Sequence, residues 1–207
     1  YRIPNKMNRY MALILIFSFA LQAVCLSLPP QALSMLQDLS EDERQEAVLY
    51  GKRGIRTELP EFIKEWSVNN KLEGFAFITT EFLALAYAAR QSALRMTEMN
   101  SYDIEDTLAK SSGKLVFRVT LFGDSPDFSR NYTAIVKTDT TTVPTTFWDT
   151  PSGDPYGDGE SSPTYVSDSD FYFSSEEVDP EEKITLVILD DQEKEVSRFS
   201  FDLGSLR

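Results

Sequence analysis

The chain has 207 residues, 42% of them hydrophobic, and 33 acidic against 20 basic side chains give it a net charge of −13. It contains no histidine, and its one cysteine is Cys25. That excludes His-based acid–base and triad chemistry, zinc held by His or Cys clusters, and an intrachain disulfide; the acidic balance, with no basic stripe to override it, excludes a nucleic-acid backbone as partner.

The first elements in chain order are targeting signals. Tyr1 to Arg9 carries Arg2, Lys6 and Arg9 and no acid. From Met11 the chain reads MALILIFSFALQAVCLSL, apolar apart from Ser18, Gln22 and Ser27, and Pro29-Pro30 ends any helix. A basic stretch, an apolar stretch and small residues at Ala23 and Cys25 are the parts of a secretory signal. Residues 1–25 are therefore read as signal-peptide-like or as a membrane anchor, with cleavage expected before Leu26 and Met7 or Met11 as the translation start. Export to a periplasm or to the medium follows. Three other readings stay open. Residues 11–28 sit at the lower length limit for a membrane-spanning anchor. LQAVC resembles a bacterial lipobox with lipid on Cys25, although Gln22 and Val24 fit it badly. An apolar core helix is the last, and the basic flank and missing amphipathicity argue against it.

Residues 26–113 read as a mainly helical region. Ser40 with Glu43 makes an S-x-x-E capping box, and Glu41, Asp42 and Glu43 place negative charge where the helix dipole favours it. This helix is expected to end at Gly51. A second is expected around Pro60, with Phe62, Ile63 and Trp66 on one side and Asn69-Asn70 as its stop. The clearest helix takes Thr79 or Thr80 as N-cap and runs through EFLALAYAARQSALRMTEM, with Phe82, Leu85, Ala86, Ala89, Ala93 and Met96 at helical spacing. The small residues on that face admit a close neighbour. Asn100 or Ser101 opens a further short helix with Ile104 and Leu108 inward, ending near Gly113.

From Leu115 the hydrophobic period changes to two. LVFRVTLF sets Leu115, Phe117, Val119 and Leu121 against Val116, Arg118, Thr120 and Phe122, as a strand does. NYTAIVKT reads as the next strand. Residues 139–163 form a long acidic insertion, where the alternating Pro and Gly of PSGDPYG predict no regular structure. Tyr165 to Phe173 returns to strand, and KITLVIL, DDQEKE and EVSRFSFDL read as a hairpin. The fold class expected is α+β: a helical N-terminal part followed, over residues 114–207, by an antiparallel β-sandwich, immunoglobulin-like or similar, of about five to seven strands.

Eleven acids and no Lys or Arg lie between Asp149 and Glu182. Hard cations take several carboxylate oxygens, so Asp149, Asp154, Asp158, Glu160, Asp168 and Asp170 are the calcium candidates; the alternative is solvated loop charge that keeps sheet edges soluble. Asp168-x-Asp170 lacks the third acid and the glycine of an EF-hand. Aromatic residues crowd the same stretch, and Trp148, Tyr156 and Tyr165 are candidates for a ligand platform, against core or loop-anchor roles for most of the group. Lys52, Arg53 and Arg56 form a short basic connector, read as solvated or facing anionic lipid. Asn131-Tyr132-Thr133 is a glycosylation sequon. Neither a P-loop nor a dinucleotide-binding glycine motif occurs.

These features support an exported, non-enzymatic envelope or secreted protein whose sandwich binds another protein or an envelope component, with membrane association through residues 11–28 as a further possibility. The alternative is a carboxylate-only, glycosidase-like enzyme acting on carbohydrate, which requires two carboxyl groups facing each other across a cleft about 5–10 Å apart.

Overall fold

The computed structural model describes residues 39–70, 74–157 and 163–206. These lie in the unit Leu33–Arg207. The basic and apolar N-terminal segment with Cys25 is outside the described residues, as are Asp158 and Glu160.

Helix α1 spans Glu41–Arg53. It starts where the capping box predicts: the Glu43 backbone N–H donates to Ser40 Oγ at 3.4 Å, and the Ser40 N–H donates to the Glu43 carboxylate at 2.6 Å. It does not stop at Gly51. That glycine is buried inside the helix, where a Cβ would lie 2.0 Å from the Ala86 carbonyl oxygen. The residue is a contact point between helices, and the chain turns only at Gly54.

Helix α2 is the single turn Leu59–Phe62, with Pro60 in its first positions. The helix expected to continue to Asn69 instead gives way, after a 3₁₀ turn at Lys64–Trp66, to strand β1 (Ser67–Asn70). Strand β2 (Gly74–Thr79) pairs antiparallel with β1. So the region expected to be mainly helical also contains a pair of strands. Helix α3 (Glu81–Leu94) opens on Thr80, whose Oγ1 accepts from the Leu83 N–H at 3.1 Å. It is shorter than the expected run. Met96 has a left-handed φ of 58° and is 96% exposed, so it does not continue the buried face of Phe82, Leu85, Ala86 and Ala89. Helix α4 (Ser101–Ser111) is capped by Asn100 and Asp103, each accepting from the other's backbone N–H.

Strand β3 (Lys114–Gly123) alternates as the sequence predicts, with Leu115, Phe117, Val119 and Leu121 buried. Then follow β4 (Thr133–Lys137), the short strands β5 (Thr142–Pro144), β6 (Phe147–Asp149) and β7 (Asp154–Pro155), and the long strands β8 (Tyr165–Ser174), β9 (Lys183–Leu189) and β10 (Glu195–Asp202). The insertion therefore carries regular structure after all, in pieces of two or three residues. Two antiparallel sheets result. The first has the order β1-β2-β3-β8-β6 with β7 also on β8, and the second β10-β9-β4-β5. The consecutive strands β3 and β4 are in different sheets.

One hydrophobic core joins the sheets and the helices. Phe117 of β3 lies 5.3 Å from the Phe201 ring of β10 and 5.6 Å from Phe173 of β8. On the helical side Tyr50, Phe62, Trp66 and Phe82 cluster, with Tyr50–Phe62 ring centroids 5.1 Å apart and Trp66–Phe82 at 6.0 Å. The Tyr50 hydroxyl donates to the Phe62 carbonyl at 2.9 Å, so this phenol is satisfied within an apolar cluster. Arg90 donates to the carbonyls of Gly54 and Thr57 and stands 5.2 Å over the Phe62 ring, which ties α3 to the connector after α1.

Candidate functional site

Because strand side chains alternate, the residues of β3 between the core positions point away from the second sheet. Val116, Arg118 and Thr120 form that outward face, and the register extends it in three rows. Phe75, Thr120 and Asp168 make one; Phe77, Arg118 and Asp170 the next; Thr79, Val116 and Tyr172 the third. Above this floor stand Leu59, Pro60 and Ile63 of α2 and the residue after it, Leu83, Ala84 and Tyr87 of α3, and Thr107, Lys110 and Ser111 of α4. The space between is a cavity of about 540 Å³. That size, with mostly apolar walls and a few fixed polar groups, is usual for a small-molecule site.

The polar groups are held in place. Arg118 Nε and Nη2 donate to the two Asp170 carboxylate oxygens at 2.7 and 2.6 Å. A bidentate pair fixes both planes, and charge-assisted bonds of this kind are about twice as strong as neutral ones. The Asp170 hydrogen bond raises the Arg118 pKa, partly opposed by burial. Thr120 Oγ1 donates to Asp168 at 2.6 Å. In the third row, burial and then the Asp170 carboxylate push the Tyr172 phenol upward; Arg118 acts the other way, and Asp149 adds to the rise. On the roof, Lys110 is paired with Asp106 one turn back on α4. A second concavity of about 410 Å³ lies between α1 and α4, where Arg44 pairs with Glu105 at 2.7 Å.

The acidic candidates are distributed rather than gathered. Asp168 and Asp170 belong to the cavity floor. Asp149 of β6 is in register with Asp170, while Asp154 of β7 faces Val166 at the other end of β8. Among the described residues no group of three or more acidic, His or Cys side chains is placed to hold a metal ion. The aromatic candidates are also apart. Trp148 is 42% exposed opposite Phe171, Tyr156 is 46% exposed with its ring 5.0 Å from Phe122, and Tyr165 is half-buried opposite Pro155. None of the three lines the cavity. Phe171 and Phe173 are core, and Phe147 covers Tyr172 at 5.4 Å.

Sequence reasoning did not single out Phe75, Phe77 or Arg118 as site residues. One signal for them exists. In GFAFIT both alternating sets are apolar, Phe75 and Phe77 on one side and Ala76 and Ile78 on the other, as expected of a strand covered on both faces. That second cover is the helical layer which makes the cavity.

No helix among the described residues is long and apolar enough to cross a membrane. No protein-family model matches the chain, and no curated protein matches it in sequence. Two solved structures are similar to it. A protein of unknown function from Burkholderia pseudomallei K96243 is 8% identical, with a TM-score of 0.44 over 82% of this chain and 95% of the other. The archaellum periplasmic stator protein FlaG from Sulfolobus acidocaldarius is 14% identical, with a TM-score of 0.29 over 44% of this chain and 88% of the other.

Proposed function

We propose that this chain is an exported, non-enzymatic binding protein whose two sheets form a β-sandwich, and that it holds a small amphipathic ligand between the first sheet and the helices. The cavity of about 540 Å³, with mostly apolar walls and crossed by the Arg118–Asp170 pair on its floor, carries this reading. The shared core across Phe117 and Phe201 supports the sandwich. The basic and apolar start of the chain supports export, and intact-mass measurement of protein from its native source is expected to show a mature terminus at Leu26. A mass retaining the residues from Met7 or Met11 onward would refute cleavage.

The geometry favours binding over glycoside hydrolysis. Asp168 and Asp170 are two residues apart on one face of β8, and Asp170 is held by Arg118. The residues lining the roof include no carboxylate to face them, so the opposed pair that hydrolysis needs is not assembled in this cavity.

The neutral fluorophore 1-aminoanthracene tests the site, because its emission rises and shifts to the blue on entering an apolar cavity. The wild-type protein is expected to enhance it, and Ala84→Trp, which fills the space from α3, is expected to abolish the enhancement while leaving the fold intact by circular dichroism. Equal enhancement by the folded variant would show that this cavity is not the site.

A further inference from the structure

We infer that the ligand carries a cationic head, received by Asp168, and an apolar tail lying on Phe75 and Phe77 beneath α3. This rests on the cavity being the binding site and adds the chemical class of its occupant. The argument starts from the charges on the floor. Arg118 gives two of its N–H groups to both oxygens of Asp170, so these two charges compensate each other. Asp168, in the adjoining row, receives a neutral hydrogen bond from Thr120 and forms no ion pair among the described residues; its charge reaches Arg118 only at longer range. Asp149, across from Asp170 on β6, adds a further negative charge beside the floor. The roof does not restore the balance, because Lys110 is paired with Asp106. Asp168 is therefore an exposed carboxylate with spare acceptor capacity at the edge of a cavity whose walls are mostly apolar.

The placement of that carboxylate sets the orientation. Asp168 shares its row with Thr120 and Phe75, and the next row adds Phe77, whose ring centroid is 6.1 Å from that of Phe75. An ammonium group donates a charge-assisted hydrogen bond to the Asp168 carboxylate without displacing the Arg118–Asp170 pair, and a chain attached to it runs over the two Phe rings toward Leu83 and Tyr87. An anionic head at the same place meets the Asp168 carboxylate first. At Arg118 it finds Nη1 outside the pair with Asp170, but with the Asp170 carboxylate beside it as a second negative charge. Charge complementarity thus selects a primary alkylammonium over an alkanoate of equal length.

Calorimetric titration with n-octylamine, octan-1-ol and octanoate at neutral pH and low salt tests this. The ammonium is expected to bind about tenfold more tightly than the alcohol, the usual scale for one hydrogen bond to a charged group, and octanoate more weakly than either. Asp168→Asn keeps the shape and removes the charge, so it is expected to bring octylamine down to the affinity of the alcohol and leave the alcohol unchanged. Binding of all three with equal affinity, or an octylamine preference that survives Asp168→Asn, overturns the cationic head and leaves the cavity as a binding site. Tightest binding of octanoate overturns it in favour of Arg118 as the recognising group. Binding of none of the three, together with no 1-aminoanthracene enhancement, overturns both readings.

Discussion

Phe117→Ala is expected to destabilise the fold by about 3–5 kcal/mol, the range for truncating a fully buried phenylalanine. Phe117 is 0% exposed and is the point where three strands meet, with Phe173 at 5.6 Å on its own sheet and Phe201 at 5.3 Å on the other. Its removal leaves a void between two sheets, and a sheet held by its hydrogen-bond ladder cannot collapse onto a missing ring as a loop does. For a domain of this size the loss corresponds to a fall of roughly 6–20 °C in Tm. Urea unfolding followed by tryptophan fluorescence measures it directly, and Trp66, buried in the helical cluster, reports on a region distant in sequence from the change. A loss below about 1 kcal/mol would mean that the two sheets do not pack through this residue. The folded fraction should still bind 1-aminoanthracene, because the cavity is on the opposite face of β3.

Gly51→Ala is expected to destabilise by about 2–3 kcal/mol, and the sign is the informative part. In an exposed helix the same change stabilises by about 1 kcal/mol, since alanine is the better helix former. Here the new methyl would lie 2.0 Å from the Ala86 carbonyl oxygen and 2.9 Å from both the Ala89 Cβ and the Arg90 nitrogen. Two of these are backbone atoms, which cannot rotate aside, so α1 and α3 must separate. Moving α3 also moves Leu83, Ala84 and Tyr87 over the cavity, so weaker 1-aminoanthracene binding is expected alongside the stability loss. Urea denaturation of the variant gives the answer, and a stability equal to or above that of the wild type would show that the helices are not in this contact.

The α1 start was legible because a capping box is complete within four residues, and Ser40 and Glu43 do what their spacing predicts. For α3 and α4 the sequence offered two caps each, Thr79 or Thr80 and Asn100 or Ser101, and the structure takes Thr80 and Asn100. Strand β3 could be read because Leu115 to Phe122 alternates cleanly, its outward face carrying Arg118 and Thr120. Where both faces are apolar the period disappears. Phe75 and Phe77 oppose Ala76 and Ile78, so β2 lost the alternation that marks a strand, and the spacing of Phe62, Ile63 and Trp66 extended a helix across β1. Gly51 misled in a different way: a glycine that ends a helix and one that admits a neighbouring helix are the same letter, and only Ala86, 35 positions on, distinguishes them.

By itself the sequence determined what depends on near neighbours and on totals: the acidic net charge, the chemistry removed with histidine, the α1 capping box and the strand alternation from Leu115. Only the tertiary structure decided which strands pair and what those pairings bring together. Arg118 and Asp170 are 52 residues apart, and nothing local in either strand names the other. They meet because β3 skips β4 and takes β8 as its partner, a choice set by which sheet buries each strand's apolar face. The cavity exists for the same reason. Its floor comes from three strands and its roof from three helices, and the free energy that assembles them is the burial of the core beneath, to which Ile63 and Leu83 of the cavity wall also belong.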